Sequence, residues 1–216
     1  MNRSGIQKII VVLSAALLGA APGRTVFANA TASAPTNAGV SAWVVKDIDG
    51  KPHQPLAEAG QKATVFFFVL HDCPLANSCA PEINRIVADY RARGVRSYLV
   101  FVEDDLSPKV ARKHAREFGF ICPVLLDREQ RLMQFAHATV SPEVAVLAPD
   151  NALLYRGRID DRLAARGKQR VSPTRRDLRE ALDAVLAGKP VPEPVTTAVG
   201  CYLPRKENTK HHERKS

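Results

Sequence analysis

The sequence has 216 residues, 45% of them hydrophobic, with a formal charge of +9 and 4 cysteines. A chain of this length can bury a substantial core, and neither the charge nor any motif is typical of a nucleic-acid binding protein. The most basic stretch, residues 156–176, contains no aromatic residue. We therefore interpret it as a solvated loop and expect no nucleic-acid partner, while an anionic partner or substrate stays open.

Residues 1–30 have the features of a secretory signal peptide. A basic start contains Arg3 and Lys8, an apolar run covers residues 9–21, and Ala28-Asn29-Ala30 forms a small-residue cleavage site. The apolar run is too short to span a bilayer. We predict cleavage, release into the periplasm or the medium, and no stable membrane anchor, with a retained N-terminal anchor as the alternative. Residues 31–40 are small and polar and are predicted to be a linker.

After the linker, strand and helix patterns alternate. Apolar and β-branched runs predict strands over 41–46, 64–70, 96–102 and 122–127, and helical periodicity predicts helices over 81–93, 108–118, 131–138 and 175–187. Two more runs, 144–147 and 153–158, flank a turn and predict an antiparallel hairpin, whereas the two β-α units before it predict parallel strands. We therefore predict an α/β fold, a single domain over 41–188 with a central mixed sheet flanked by helices. An extended arm and basic tail follow over 189–216.

Cys73 stands where a buried strand meets a helix. Pro74 suits the first position of a helix because its missing N–H is not needed there. A thiol at a helix N-terminus is favoured in its thiolate form, which is the nucleophile. The pattern predicts a reactive Cys73, although the neighbouring Asp72 opposes this by raising the thiol pKa. The alternative is a buried structural cysteine.

This layout resembles the thioredoxin-like superfamily, in which a buried strand delivers Cys-x-x-Cys to a helix kinked by a proline eight residues after the first cysteine. Pro81 occupies that proline position, but Ala76 replaces the second cysteine and Asp72 replaces the usual tryptophan. In the superfamily a cis-proline precedes the first hairpin strand. The resemblance therefore implies a cis peptide bond at Pro142.

Within the superfamily, the chain resembles exported bacterial redoxin-domain proteins, from the branch that contains peroxiredoxins and thiol-disulfide reductases. The similar segments are 72–77, 80–83, 156–162 and 200–201, and the resemblance covers residues 41–204. It implies thiol-disulfide exchange through Cys73, with Pro142 at the site and without a cofactor or a resident metal. The implied substrate is a protein or small-molecule disulfide, with an external thiol as reductant.

The sequence leaves the partner of Cys73 open. Six residues of helix would place the Cα atoms of Cys73 and Cys79 about 9 Å apart, farther than a disulfide allows, so this pair requires residues 74–78 to be non-helical. Cys201 follows a proline-rich arm whose residues 190–200 can span roughly 30 Å. This reach favours Cys201, with Cys79 or an outside thiol as alternatives. Cys122 is predicted to lie in the core.

Two other functions compete with disulfide exchange. Cys73, Cys79 and a histidine would make a soft site suited to Cu(I), although the copper-delivery branch has three residues between its cysteines and a histidine just before the hairpin. The histidines considered for this site are His71, His137, His211 and His212. A peroxiredoxin-like antioxidant function needs a proline seven and a threonine or serine three residues before the reactive cysteine. Phe66 and Leu70 occupy those positions here.

Overall fold

The computed structural model describes residues 43–57 and 60–206. The predicted signal peptide and linker lie outside the described residues, as do His211 and His212. In the described part of the chain, no helix is both long and apolar enough to cross a membrane.

The elements are described here in chain order. The strands are β1 (Val45–Lys46), β2 (Pro52–His53), β3 (Ala63–Val69), β4 (Val95–Phe101), β5 (Val124–Leu126), β6 (Val140–Ser141), β7 (Glu143–Leu147), β8 (Leu153–Gly157), β9 (Leu163–Ala165), β10 (Lys168–Gln169) and β11 (Cys201–Tyr202). The helices are α1 (Pro74–Arg91), α2 (Pro108–Glu117), α3 (Arg131–Phe135) and α4 (Asp177–Leu186).

Five strands form a central mixed sheet in the order β5-β4-β3-β7-β8. β3 and β5 run parallel to β4, whereas β7 runs antiparallel to both β3 and β8. Every residue of β3 is buried, as a continuous apolar run in the middle of a covered sheet requires. The predicted fold class, a mixed sheet flanked by helices, is confirmed.

Helix α1 begins directly after Cys73 and continues through Pro81. The helix predicted over 81–93 therefore starts earlier, at the position that Pro74 indicated, and Pro81 interrupts its bonding pattern without ending it. Helix α1 is joined to α4 through Glu82, which is buried and accepts a 2.8 Å hydrogen bond from Arg179 Nε. Because α1 begins at Pro74, residues 74–78, which separate Cys73 from Cys79, are helical.

The start of the last helix also differs from the prediction. Thr174 does not cap α4, which begins at Asp177 without a side-chain cap. Instead, the Thr174 hydroxyl and backbone N–H both donate to the carboxylate of Asp161. These bonds and the N–H of Arg175 hold the pKa of Asp161 down at about 2. The segment before α4 is thereby fixed to the end of the preceding loop.

The basic stretch over 156–176 is not simply a solvated loop, because it forms the β9–β10 hairpin and part of it turns inward. Arg158 makes two bonds to the buried carboxylate of Asp177, at 2.8 and 3.0 Å. Arg162 reaches α1. The interpretation as a solvated loop was wrong for these two arginines, since long-range contacts with carboxylate and carbonyl oxygens could not be read from the local charge pattern.

We expect Val65→Ala to lower the free energy of unfolding by about 2 kcal/mol, because Val65 lies in the middle strand and is fully buried. Urea unfolding of the oxidised protein, followed by circular dichroism, measures this loss. Val171→Ala is the matched control, since Val171 is fully exposed, and should change stability by less than about 0.5 kcal/mol. Equal losses at the two positions would contradict the assigned core.

Candidate active site

Cys73 is the residue that caps the N-terminus of α1. Its side chain is only 1% exposed, and the first turn of α1 contains no acidic residue. The partial positive charge of the helix end therefore acts on the sulfur without a carboxylate in that turn to cancel it. Cys73 thus lies at the helix end where the sequence placed it, with Asp72 directly before it.

The structure joins Cys73 to Cys201 in a disulfide. Their Cα atoms lie 6.3 Å apart, within the range that a disulfide spans. Cys79 and Cys122 are free and buried. Cys201, which the reach of the C-terminal arm favoured, is thus the partner of Cys73. Cys79 cannot take this place, because residues 74–78 are helical and hold it too far along the helix.

Ser141 connects the parts of this site. It is completely buried, and its Oγ accepts a 2.8 Å hydrogen bond from the backbone N–H of Leu70, at the end of the central strand. Its carbonyl oxygen lies 3.2 Å from the Cys73 sulfur. The peptide bond from Ser141 to Pro142 is cis, as expected from the position of Pro142. Cys73, Cys201 and Pro142 are thus brought together, and Ser141 is a site residue that the sequence analysis missed.

The C-terminal arm reaches Cys73 by adding a short strand beside Ser141. β11 pairs antiparallel with β6, with Cys201 opposite Ser141 and Tyr202 opposite Val140. The approach is so close that a Cβ atom at Gly200 would overlap the backbone of Ser141. Gly200 is therefore required by space at this crossing, which gives a physical reason for the Gly-Cys pair in the sequence.

The arm is also held on both sides of Cys201. Upstream, the Thr196 hydroxyl lies 2.7 Å from the Tyr155 hydroxyl and accepts a 3.1 Å bond from the N–H of Arg158. Downstream, the Gln130 side chain donates to the carbonyl oxygen of Pro204 and accepts from the N–H of Lys206, both at 2.8 Å. Cys201 is positioned by these anchors as well as by its own bond to Cys73.

Cys79 lies in a separate environment on α1. Arg162 Nη2 donates to the carbonyl oxygen of Ser78 at 2.6 Å and lies 3.6 Å from the Cys79 sulfur. Burial raises the pKa of Cys79, and Arg162 opposes that rise only in part. Burial also raises the pKa of Cys122, to about 12. Both free cysteines are therefore thiols near neutral pH.

A group of polar residues lies on the other side of the turn before Cys73. The backbone N–H of His71 donates to Glu103 Oε1 at 2.8 Å, and His71 Nδ1 lies 3.0 Å from the same oxygen. Within residues 43–57 and 60–206, the one group of three or more potential metal ligands is His71, Asp72 and Glu103. It includes no cysteine, so among the described residues Cys73 and Cys79 are not gathered with a histidine.

Comparisons with known proteins identify the fold. No family model and no curated protein matches the chain. An uncharacterized conserved protein from Geobacillus kaustophilus is 28% identical, with a TM-score of 0.66 over 76% of this chain and 89% of that chain. A hypothetical protein from Sinorhizobium meliloti 1021 is 24% identical, with the same TM-score of 0.66 over 74% of this chain and 88% of that one.

A third structure carries a descriptive name. A thiol:disulfide interchange protein of the thioredoxin family from Chlorobium tepidum TLS is 17% identical, with a TM-score of 0.50 over 67% of this chain and 92% of that chain. This chain has the thioredoxin-like fold. The resemblance seen in the strand-to-helix junction and at Pro142 is thereby confirmed at the level of the fold.

This thioredoxin-like chain has a different partner for its first cysteine. Ala76, in the position of the second cysteine of Cys-x-x-Cys, is buried and offers no sulfur. The disulfide instead crosses from the start of α1 to a strand added by the arm. In chemical terms, the site holds one sulfur at a helix end and a second on a separately anchored segment.

We expect Cys79 and Cys122 to resist iodoacetamide in the native oxidised protein at pH 8, because both thiols are buried and protonated. Mass spectrometry after alkylation should find both labelled only when denaturant is present. Peptide mapping without reductant should at the same time recover a Cys73–Cys201 link. Rapid native labelling of Cys79 would contradict the buried environment described for it.

We expect Gly200→Ala to prevent the arm from docking, because the added Cβ would overlap the Ser141 backbone. After oxidation with glutathione disulfide, the variant should lack the Cys73–Cys201 link that the unchanged protein forms, as scored by peptide mapping. Val199→Ala is the control, since it alters the neighbouring arm residue without adding an atom. Normal disulfide formation in Gly200→Ala would show that the close crossing is not required.

Proposed function

We propose that this protein is a thiol-disulfide oxidoreductase in which Cys73 is the nucleophile and Cys201 the resolving cysteine. The observation that carries the proposal is the disulfide between a cysteine at a helix N-terminus and a cysteine on an anchored arm, beside a cis-proline. The thioredoxin-like fold supports the same class of chemistry. Cys79 has no part in this scheme.

The reaction is a pair of thiolate exchanges. In the reduced protein, the Cys73 thiolate attacks one sulfur of a substrate disulfide, and the other substrate sulfur leaves as a thiolate and takes a proton from water. Cys201, as a thiolate, then attacks the Cys73 sulfur and expels the remaining substrate sulfur. The substrate disulfide is reduced to two thiols while Cys73 and Cys201 are oxidised to the disulfide seen here. An external thiol returns the protein to its reduced form.

The neighbouring groups have defined roles in this scheme. The end of α1 stabilises the Cys73 thiolate, both as nucleophile and as leaving group. Ser141 and Pro142 hold the segment that lies against the sulfur and pairs with the arm. Thr196 and Gln130 anchor the arm on either side of Cys201, so that only the segment between these anchors has to move away from the buried Cys73 to admit the substrate and return to resolve the mixed disulfide.

The proposed setting is outside the cytoplasm. The signal-peptide pattern of residues 1–30 supports export, and disulfides persist in the periplasm and in the medium. We propose a protein or small-molecule disulfide as the substrate. Neither a cofactor nor a metal is required by the exchange reaction.

Cys73→Ser should reduce the rate of insulin reduction in the presence of dithiothreitol to that of the assay without protein, because it removes the nucleophile. Cys79→Ser is the matched control on the same helix and should keep the wild-type rate. A wild-type rate in Cys73→Ser would disprove the assignment.

Cys201→Ser should give a different result from Cys73→Ser, because the first attack remains but the resolving step is lost. Incubation of reduced Cys201→Ser with glutathione disulfide should give a stable adduct, which mass spectrometry can locate on Cys73. Cys73→Ser should give no comparable adduct on Cys79. An adduct on Cys79 in both variants would instead identify Cys79 as the reactive cysteine.

A further inference from the structure

The two sulfurs of the disulfide differ in their access to solvent. Cys73 is 1% exposed, whereas Cys201 is partly exposed and its neighbour Tyr202 is 76% exposed. A thiolate that opens a disulfide must reach one of its sulfur atoms, so access determines which one is attacked. In the oxidised protein, the open approach leads to Cys201.

The identity of the leaving group favours the same sulfur. Attack on Cys201 expels the Cys73 thiolate, which lies at the N-terminus of the 18-residue helix α1. The helix end stabilises this thiolate, and a thiol of lower pKa leaves faster. Attack on Cys73 would instead expel Cys201, which lies in a two-residue strand and not at a helix end.

A cavity lies between the β9–β10 hairpin and the arm residues on either side of Cys201, and Arg166 is the charged residue in its lining. Its volume is about 370 Å³, and its lining includes Val140, Ala164, Arg166, Gly200 and Tyr202. Arg166 donates to the carbonyl oxygen of Gly200 at 3.1 Å, and its guanidinium lies 5.0 Å from the centre of the Tyr202 ring. Arg166 therefore stands next to the residue that precedes the accessible sulfur.

Two cations of the β9–β10 hairpin are available near this cavity. The hairpin of β9 and β10 carries Arg166 in its turn and the exposed Lys168 in its second strand. Residues 162–176 contain no aspartate or glutamate. Arg170 and Arg175 are nevertheless paired with Asp161 and Asp177. Arg166 and Lys168 form no ion pair with a described carboxylate, and such unpaired cations attract anions and raise their concentration near the surface. The cavity volume is suited to a small molecule.

We propose that the external reductant is a small thiol that carries a carboxylate, and that Arg166 and Lys168 attract it to the side of the arm where its thiolate attacks Cys201. The attack forms a bond between the reductant sulfur and Cys201 and breaks the Cys73–Cys201 bond, so that Cys73 leaves as a thiolate. A second reductant thiolate then attacks the sulfur of the first, which releases the oxidised reductant as a disulfide and leaves Cys201 as a thiolate. Two thiols of reductant are oxidised and the protein disulfide is reduced. This inference rests on the proposed function and names the reductant for the same site.

The test measures reduction of the oxidised full-length protein by three thiols of different charge: 3-mercaptopropionate, 2-mercaptoethanol and cysteamine. Each rate constant is calculated per thiolate, from the pKa of the thiol and the pH. It is then divided by the rate constant of the same thiolate with hydroxyethyl disulfide, so that differences in intrinsic nucleophilicity among the three thiols cancel. At low ionic strength, the anionic thiol should be favoured over the cationic one by about 10-fold. The preference should shrink as salt is added.

Two variants test whether the β9–β10 hairpin causes the preference for the anionic thiol. Lys168→Glu changes a charge without touching the arm, and should lower the ratio of anionic to cationic rates several-fold. Lys62→Glu is the matched control, because Lys62 is exposed directly before β3, at the opposite end of that strand from Cys73. An unchanged ratio in Lys168→Glu, or an equal change in Lys62→Glu, would overturn the role of the hairpin.

A separate experiment determines which of the two sulfurs the reductant attacks. Acid quenching during the reaction with 3-mercaptopropionate, followed by peptide mapping, should find the adduct on Cys201 and a free thiol at Cys73. An adduct on Cys73 would overturn this inference and leave the proposed function intact. The proposed function would be contradicted by a different result, an unchanged rate of insulin reduction in Cys73→Ser. The experiments with the three thiols do not measure that rate, so the two failures can be told apart.

Discussion

The backbone pairing of Cys201 with Ser141 is the contact on which the site depends. Ser141 is fixed to the end of the central strand through Leu70 and its carbonyl oxygen touches the Cys73 sulfur, so any segment that pairs with Ser141 is brought to that sulfur. The arm provides such a segment because Gly200 permits the close crossing. A fold without a second cysteine on α1 can in this way still hold two sulfurs together.

Placing the second cysteine on an arm has an energetic cost and a compensation. Ordering each residue of the arm costs about 1–2 kcal/mol of backbone entropy, which the bonds at Thr196 and Gln130 help to offset. The disulfide joins residues 128 positions apart, and closing a loop of that size in the unfolded chain stabilises the folded state by about 4–5 kcal/mol in the chain-entropy description. Oxidation therefore stabilises the same arrangement that places the sulfurs together.

The central part of the fold could be predicted because its signals are local. The apolar run of β3 and the turn between β7 and β8 each specify their structure within a few residues, whereas the cis bond at Pro142 was implied by the resemblance to the superfamily. The apolar period predicted α1 only over 81–93, because residues 74–80 lack a clear apolar period, whereas Pro74 indicated the actual start of the helix. The hairpin of β9 and β10 was missed because its charged sequence lacks the alternation typical of strands.

Some residues of the candidate site could likewise be identified from the local sequence, and others could not. Cys73 and Pro142 were recognisable from their neighbours in the sequence, and Cys201 was reachable only by an argument from arm length. The contacts that fix the arm join residues far apart in the chain, such as Gln130 with Pro204 and Thr196 with Tyr155. No local pattern specifies such pairs. Gly200 was visible in the sequence, but its role required the position of the Ser141 backbone.

The distance along the chain between Cys73 and Cys201 has a consequence for biosynthesis. The five strands of the central sheet all end by Gly157, 44 residues before Cys201. All five strands are thus synthesised, together with Cys73, before the partner cysteine. The strand that closes the site is the last to be made, and in a chain exported from its N-terminus it is also the last to cross the membrane, so Cys73 lacks its partner until the arm has arrived.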